Sequence, residues 1–313
     1  MTPKNFYDKL TNRIQEELGS EWTTELCTDV LANNGKKKIV IVLGKKGATV
    51  YPRISLEAYF EEYMNGRRMD KIMEEILSTV HNAIGNMPQD SFRWIENWEL
   101  VKDHIYFRLV SKKKNQEILD AMVYEEFCDL MAVAAVQVST DEKSIQTMRI
   151  TKALLPHWGV TEAEVLKVAK ENTENLFPGT VMDMVDVIST LLDSSEKELL
   201  PSEEQLPRSM YVLTNVNKIN GASVMMYDSL LEKLYEKIGV FVLLPSSIHE
   251  VSACPFEKET SFYGLQEMVA DINQACVSEE EVLADSVYVY DGSQVLLAAD
   301  ENGVYCNEDD FND

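Results

Sequence analysis

Met210-Tyr-Val-Leu-Thr-Asn-Val-Asn-Lys-Ile-Asn-Gly-Ala-Ser-Val-Met-Met226, continued by Tyr227-Asp-Ser-Leu-Leu-Glu-Lys-Leu-Tyr-Glu-Lys-Ile-Gly-Val-Phe-Val-Leu-Leu244, decides the fold class. Its hydrophobic period changes twice. Met210 to Thr214 is a short apolar run that predicts a strand, Asn217 to Gly221 a turn, and Ala222 to Met226 a second strand. Asp228 stands where an N-cap belongs, ahead of a helix with Leu231, Leu234, Tyr235 and Ile238 on one face. Val240 to Leu244 then predicts a buried strand. The order is strand, strand, helix, strand, followed by Pro245-Ser-Ser-Ile-His-Glu-Val251.

Downstream, Leu265, Met268, Val269 and Ile272 mark a further amphipathic helix. Val287 to Leu297 predicts a hairpin around Asp291-Gly292, and the acidic tail after Asn302 is expected to fray. Upstream, Asp193 to Ser209 is rich in Ser, Glu, Pro and Lys and is the best linker candidate. Val181 to Leu192 predicts a helix after Pro178-Gly179. Thr161 with Glu164 three residues on forms a capping box for another, whose buried face begins with Val165, Val168 and Ala169. Phe127 to Val138 predicts one apolar strand, Thr140 to Lys143 a turn and Ile145 to Ile150 its partner.

The N-terminal part repeats the alternation. Phe6, Leu10, Ile14 and Leu18 recur at helical spacing ahead of a terminating Gly19. Trp22 to Leu31 and Lys38 to Leu43 predict strands joined at Asn33-Asn34-Gly35, with a third over Thr49 to Ser55. Two helices follow, one carrying Leu56, Tyr59, Phe60 and Tyr63, the next Met69, Ile72, Met73, Ile76, Leu77 and Val80. A short helix near Ile95 to Val101 leads to a strand at Ile105 to Val110, and Lys112-Lys113-Lys114 predicts a solvated turn. Hairpins outnumber crossovers and helices sit between groups of strands, which describes α+β with mainly antiparallel sheets. The expected organisation is an N-terminal domain over 1–117 and an acidic C-terminal domain over 118–313, with 193–209 as a linker-like segment.

The chain has 313 residues with 45% hydrophobic and 26% charged, ordinary values for a globular protein able to bury its own core. No apolar stretch reaches membrane-spanning length and the N-terminus has no signal-peptide pattern, so a cytoplasmic location is expected. The net charge of −24 is unevenly placed: residues 1–120 hold 18 basic and 18 acidic side chains, residues 121–313 hold 11 and 35. That distribution argues against direct nucleic-acid binding or an anionic membrane, since phosphate contacts need Lys and Arg. It suits a protein partner with a basic surface, or mimicry of nucleic acid. The five cysteines are dispersed and form no CxxC, which speaks against a disulfide framework or a zinc ribbon.

Little in the sequence signals chemistry. There is no GxxxxGK[ST] and no GxGxxG, and Gly44-Lys45-Lys46-Gly47 reads as a hairpin turn, so no cofactor is expected. His81, His104, His157 and His249 form no HxxxH, HxH or HExxH, and no metal site is expected. There is no GxSxG elbow. The acidic pairs Glu61-Glu62, Glu74-Glu75 and Glu125-Glu126 and the run Glu279-Glu280-Glu281 read as solvated helix or turn faces. One cluster has the residue types of nucleophilic catalysis: Ser246, Ser247, His249 and Glu250, directly after a predicted buried strand. A hydroxyl needs a base to become a nucleophile, and a carboxylate can orient that base. Against this, neighbours in an extended chain point to opposite faces, and Pro245 with two serines also makes an ordinary turn.

The segments Tyr211-Val-Leu-Thr-Asn215, Leu244-Pro-Ser-Ser-Ile-His-Glu-Val251 and Trp158-Gly-Val-Thr-Glu162 through Lys170-Glu-Asn-Thr173 resemble the bacterial domain of unknown function 5688, common in gut Clostridia. The likeness runs from the N-terminal helix to Ala284-Asp-Ser-Val-Tyr288. It implies a bacterial, clostridial, cytoplasmic protein and brings no activity, cofactor or catalytic residue. The leading expectation is therefore a non-enzymatic interaction or regulatory protein. The alternatives are a hydrolase using the Ser/His/Glu cluster and an acidic nucleic-acid mimic.

Overall fold

The computed structural model describes residues 2–30, 37–45, 53–85, 93–140, 145–191 and 210–311. Contacts divide the chain into two compact units, one running to Val101 and one from Lys102 onward. The architecture is α+β with antiparallel strand pairing throughout the described sheets.

In the first unit, helix α1 (Pro3–Leu18) starts on a Thr2 cap, whose hydroxyl accepts from the Asn5 N–H at 3.3 Å, and ends at Gly19 with φ +70°. Gln15 then fixes the turn into the sheet, donating to Gly19 and Trp22 carbonyls and accepting from the Thr24 N–H, each at 2.9 Å. The sheet is β1 (Trp22–Val30), β2 (Lys37–Lys45) and β3 (Arg53–Ser55) in sequence order. Helices α2 (Glu57–Met64), α3 (Met69–Gly85), α4 (Arg93–Glu96) and α5 (Trp98–Val101) follow. Phe6, Leu10 and Ile14 of α1 share one core with Ile41 and Leu43 of β2 and Ile72, Ile76 and Val80 of α3. These are the stripes that the 3.6-residue period picks out.

The second unit holds two sheets. In the smaller, β6 (Leu130–Thr140) pairs with β4 (Ile105–Ser111) on one edge and with β5 (Tyr124–Phe127) and β7 (Ile145–Arg149) on the other. Helix α6 (Lys112–Leu119) follows β4, and α7 (Leu155–Trp158) leads to α8 (Glu162–Leu176). The buried Thr173 hydroxyl of α8 accepts from the Phe107 N–H of β4 at 2.9 Å, which anchors the helix to the strand. The larger sheet has seven strands: β8 (Gly179–Asp183), β9 (Tyr211–Asn215), β10 (Phe241–Leu244), β11 (Val251–Pro255), β12 (Val287–Tyr290), β13 (Val295–Asp300) and β14 (Gly303–Val304), in the order β14-β13-β12-β10-β11-β9-β8. Helices α9 (Met184–Leu191), α10 (Asp228–Ile238) and α11 (Phe262–Cys276) complete it. Val242, Leu244, Val287 and Val289 pack against Phe262 and Val269 of α11.

Several elements differ from the sequence reading. The contact-defined break falls before Lys102 rather than after residue 117, because β4 spends its whole length paired with β6. Lys112-Lys113-Lys114 is no turn but the first turn of α6, entered through a Ser111 cap. Of Phe127 to Val138, the part from Leu130 onward is strand β6 as expected, while Phe127 ends β5 and the chain reverses at Cys128, which adopts φ +53°. Gly179–Asp183 is an edge strand on β9, so within the stretch expected to be helical the described helix is Met184–Leu191. Ala222 to Met226 is 3₁₀ helix, not strand. Asp228 does not cap α10; it lies in the first turn, where its charge favours the helix N-terminus. Strand β11 was not foreseen. The acidic tail is docked, since Phe311 stacks edge-on against Phe256 and Phe262, and Glu308 accepts from the Phe262 N–H at 2.7 Å. The capping box of α8 is present as expected. The turns expected at Asn33–Gly35 and residues 141–143, and the linker at Asp193–Ser209, lie outside the described residues.

Candidate functional site

Residues 245–250 join β10 to β11, and their backbone is tied on both sides. On one side the Leu283 N–H donates to the Ser246 carbonyl at 3.0 Å and the Ile248 N–H to the Glu281 carbonyl at 2.8 Å. On the other, the Ala222 N–H donates to the Ile248 carbonyl at 3.1 Å, and the Thr214 hydroxyl to the His249 carbonyl at 2.7 Å. The segment is thus clasped between the end of β9 with its following 3₁₀ turn and the chain entering β12.

This clasp explains Gly221. A Cβ there would stand 2.1 Å from Thr214 Oγ1 and 2.3 Å from the His249 carbonyl oxygen. The loop that delivers Gly221 needs two left-handed residues, Lys218 at φ +56° and Asn220 at φ +52°. Asn215 sets its shape by donating to the Ile219 carbonyl at 2.9 Å and accepting from the Asn217 N–H at 3.0 Å. A backbone held this tightly turns into 3₁₀ helix instead of running on as a strand.

The His249 ring is committed at both ends. Its Nδ1 accepts from the Asn220 backbone N–H at 3.2 Å, which leaves the proton of the neutral ring on Nε2. Nε2 lies 3.5 Å from a Glu281 carboxylate oxygen, with both side chains partly exposed. The Ser247 hydroxyl accepts from the His249 backbone N–H at 3.1 Å, which makes a local turn rather than a nucleophile–base contact. Among the described residues no serine hydroxyl hydrogen-bonds the imidazole. The structure therefore brings Ser247 to the backbone of His249, brings Glu281 to its ring, and leaves Glu250 exposed. Glu281 lies 32 positions away, in the run Glu279-Glu280-Glu281 that the sequence reads only as a solvated face.

A second polar arrangement had no sequence signal either. Asp129, at the β5–β6 reversal, accepts from the Ser286 hydroxyl at 2.7 Å and from the Tyr288 hydroxyl. Burial, and then the Asp129 charge, push the Tyr288 hydroxyl well above its ordinary pKa. Asp129 and Ser286 line a cleft of about 410 Å³ that also contains Lys112, Lys113 and Lys114. Lys114 donates to the Val282 and Glu279 carbonyls at 3.1 and 3.3 Å, and burial lowers its pKa. The lysines are further engaged by Glu126 and Glu301. This arrangement docks α6 onto the chain before β12. Among the described residues no three His, Cys, Asp or Glu side chains are placed to hold a metal ion, and no helix is long and apolar enough to cross a membrane.

The two units, with their antiparallel sheets and packed helices, define an α+β protein without a recognisable catalytic constellation among the described residues. The chain belongs to a family of unknown function, DUF5688, whose model matches residues 3–292. Neither a curated protein nor a solved structure matches it.

Proposed function

We propose that this is a non-enzymatic, cytoplasmic interaction protein, in which Ser246–Glu250 closes the larger sheet and the acidic second unit meets a partner that is both basic and apolar. The observation that carries the reading is the outer face of helix α11. Met268 and Ile272 stand one turn apart and are 39% and 41% exposed. They are flanked by exposed Glu267 and Asp271, also one turn apart. Tyr263 is 59% exposed at the start of the same helix, and the helix contains no basic residue. A soluble helix normally turns its apolar residues inward, and α11 already does so with Phe262 and Val269. Its second apolar pair, bordered by one sign of charge, matches a partner surface with apolar side chains edged by Lys and Arg.

The test is capture from cells that naturally contain the protein, comparing wild type with a Met268→Glu/Ile272→Glu double variant. The reading expects a protein with a basic patch that binds wild type, weakens as salt rises and is lost with the double variant. Capture unaffected by the variant, or by salt, would refute it.

A further inference from the structure

A cleft of about 490 Å³ lies within the second unit, lined from the smaller sheet by Phe107 and Glu125 and from the larger by Tyr290. Its volume falls in the range of small-molecule sites. The floor is core: Phe107, Met225 and Leu231 are each 1% exposed. The rim is charged. Glu125 is half-buried, and Glu174 and Lys170 of α8 and Asp228 of α10 are exposed. Three carboxylates against one lysine leave the lining with two unbalanced negative charges. The Ser229 hydroxyl donates to Glu174 Oε1 at 2.5 Å and holds it in place. Among the described residues no cation pairs with Glu125 or Asp228.

Tyr290 is the unusual member of this lining. It is 2% exposed, yet among the described residues nothing hydrogen-bonds its hydroxyl. Its neighbours differ: Tyr227 donates to the Phe177 carbonyl at 3.0 Å, and Tyr288 donates to Asp129. A buried phenol normally has such a partner. Since Tyr290 lines the cleft, a ligand there can supply the missing one. Burial, and then the Glu232, Asp228 and Asp291 charges, raise the pKa of this hydroxyl, which therefore stays protonated in a negative field.

We propose that this cleft binds a small aliphatic diamine, its hydrocarbon chain on the apolar floor and its ammonium groups on Asp228, Glu125, Glu174 and the Tyr290 hydroxyl oxygen. An ammonium group has three donors and no acceptor, which suits carboxylates and a phenol oxygen. Two positive charges offset the two that the lining leaves unbalanced. An anion would find Lys170 as the single cation of the lining and three carboxylates to repel it. No residue of α11 lines the cleft, so this proposal and the partner-binding one can fail independently.

The probe is 1,5-diaminopentane, titrated into the full chain by calorimetry with magnesium chloride in excess. Magnesium carries the same charge without the hydrocarbon and screens general attraction to an acidic surface. One saturable site per chain is expected. Asp228→Asn, at an exposed position, is expected to weaken binding by about tenfold. Tyr290→Phe keeps the ring and is expected to weaken it by about threefold or more. Glu259→Gln removes an exposed carboxylate outside the cleft and is expected to bind as wild type. No saturable binding in the presence of magnesium overturns the proposal. So does wild-type affinity in Asp228→Asn or in Tyr290→Phe. A loss in Glu259→Gln as large as in Asp228→Asn overturns it too, since binding would then follow overall charge rather than the cleft.

Discussion

The Asn220 backbone N–H donates to His249 Nδ1 across 3.2 Å, joining positions 29 residues apart. That bond makes the imidazole part of the sheet closure. His249→Ala would leave the Asn220 N–H without its acceptor while sparing the backbone ties around it. The expected cost is about 1 kcal/mol, seen as a lower urea midpoint with an unchanged slope.

Gly221→Ala should cost more, although it changes fewer atoms. The new methyl meets Thr214 Oγ1 and the His249 carbonyl, and the latter is backbone held by the clasp. A destabilisation of about 2–4 kcal/mol is expected in the same urea experiment. A loss smaller than that of His249→Ala would show that the loop yields easily and that the clasp is loose.

The stripes of α1 and α3 were legible because each lies within one stretch of chain, whereas of the four residues read as the α11 stripe Val269 is buried, Leu265 half-buried, and Met268 and Ile272 exposed. The capping box at Thr161 and the hairpin at Asp291-Gly292 were legible for the same reason. What was not legible depends on partners remote in sequence. Ala222–Met226 has the composition of a strand, yet Gly221 must approach Thr214 and His249 so closely that the chain turns into 3₁₀ helix. The serines and histidine of 246–249 were found by residue type. Their roles are set by Asn220, Glu281 and Leu283, which no local pattern announces.

The docked tail gives a third prediction. An acidic segment with no contacts could be removed freely, but Phe311 packs on Phe256 and Phe262, and Glu308 holds the first turn of α11. Phe311→Ala is expected to destabilise by about 1–3 kcal/mol and to raise amide exchange in Phe262–Leu265. Unchanged exchange there would contradict the docking.

Alkaline pH gives a fourth. Burial, reinforced by Glu257, pushes the Cys254 thiol from its ordinary 9.0 to about 11. The unfolded chain therefore loses this proton first. The associated stability is complete below pH 9 and is lost as pH rises from 9 to 11, by roughly 2–3 kcal/mol at most. Tyr227 and Tyr288, both raised chiefly by burial, steepen the fall above pH 10. Urea midpoints at pH 8, 9.5 and 10.5 should decline, and Cys254→Ala should lessen the decline over the first interval without abolishing it, because burial pushes the Cys128 thiol up to about 11 as well. An equal decline in the variant would assign it elsewhere.

The most direct test of the non-enzymatic reading is a serine-reactive fluorophosphonate applied at pH 8, with mass spectrometry of the peptide spanning Pro245–Pro255. The Ser247 hydroxyl is turned to the backbone and His249 Nδ1 is occupied, so no adduct is expected on Ser246 or Ser247. An adduct on either serine that disappears in His249→Ala would show a working nucleophile and base, and would contradict the reading.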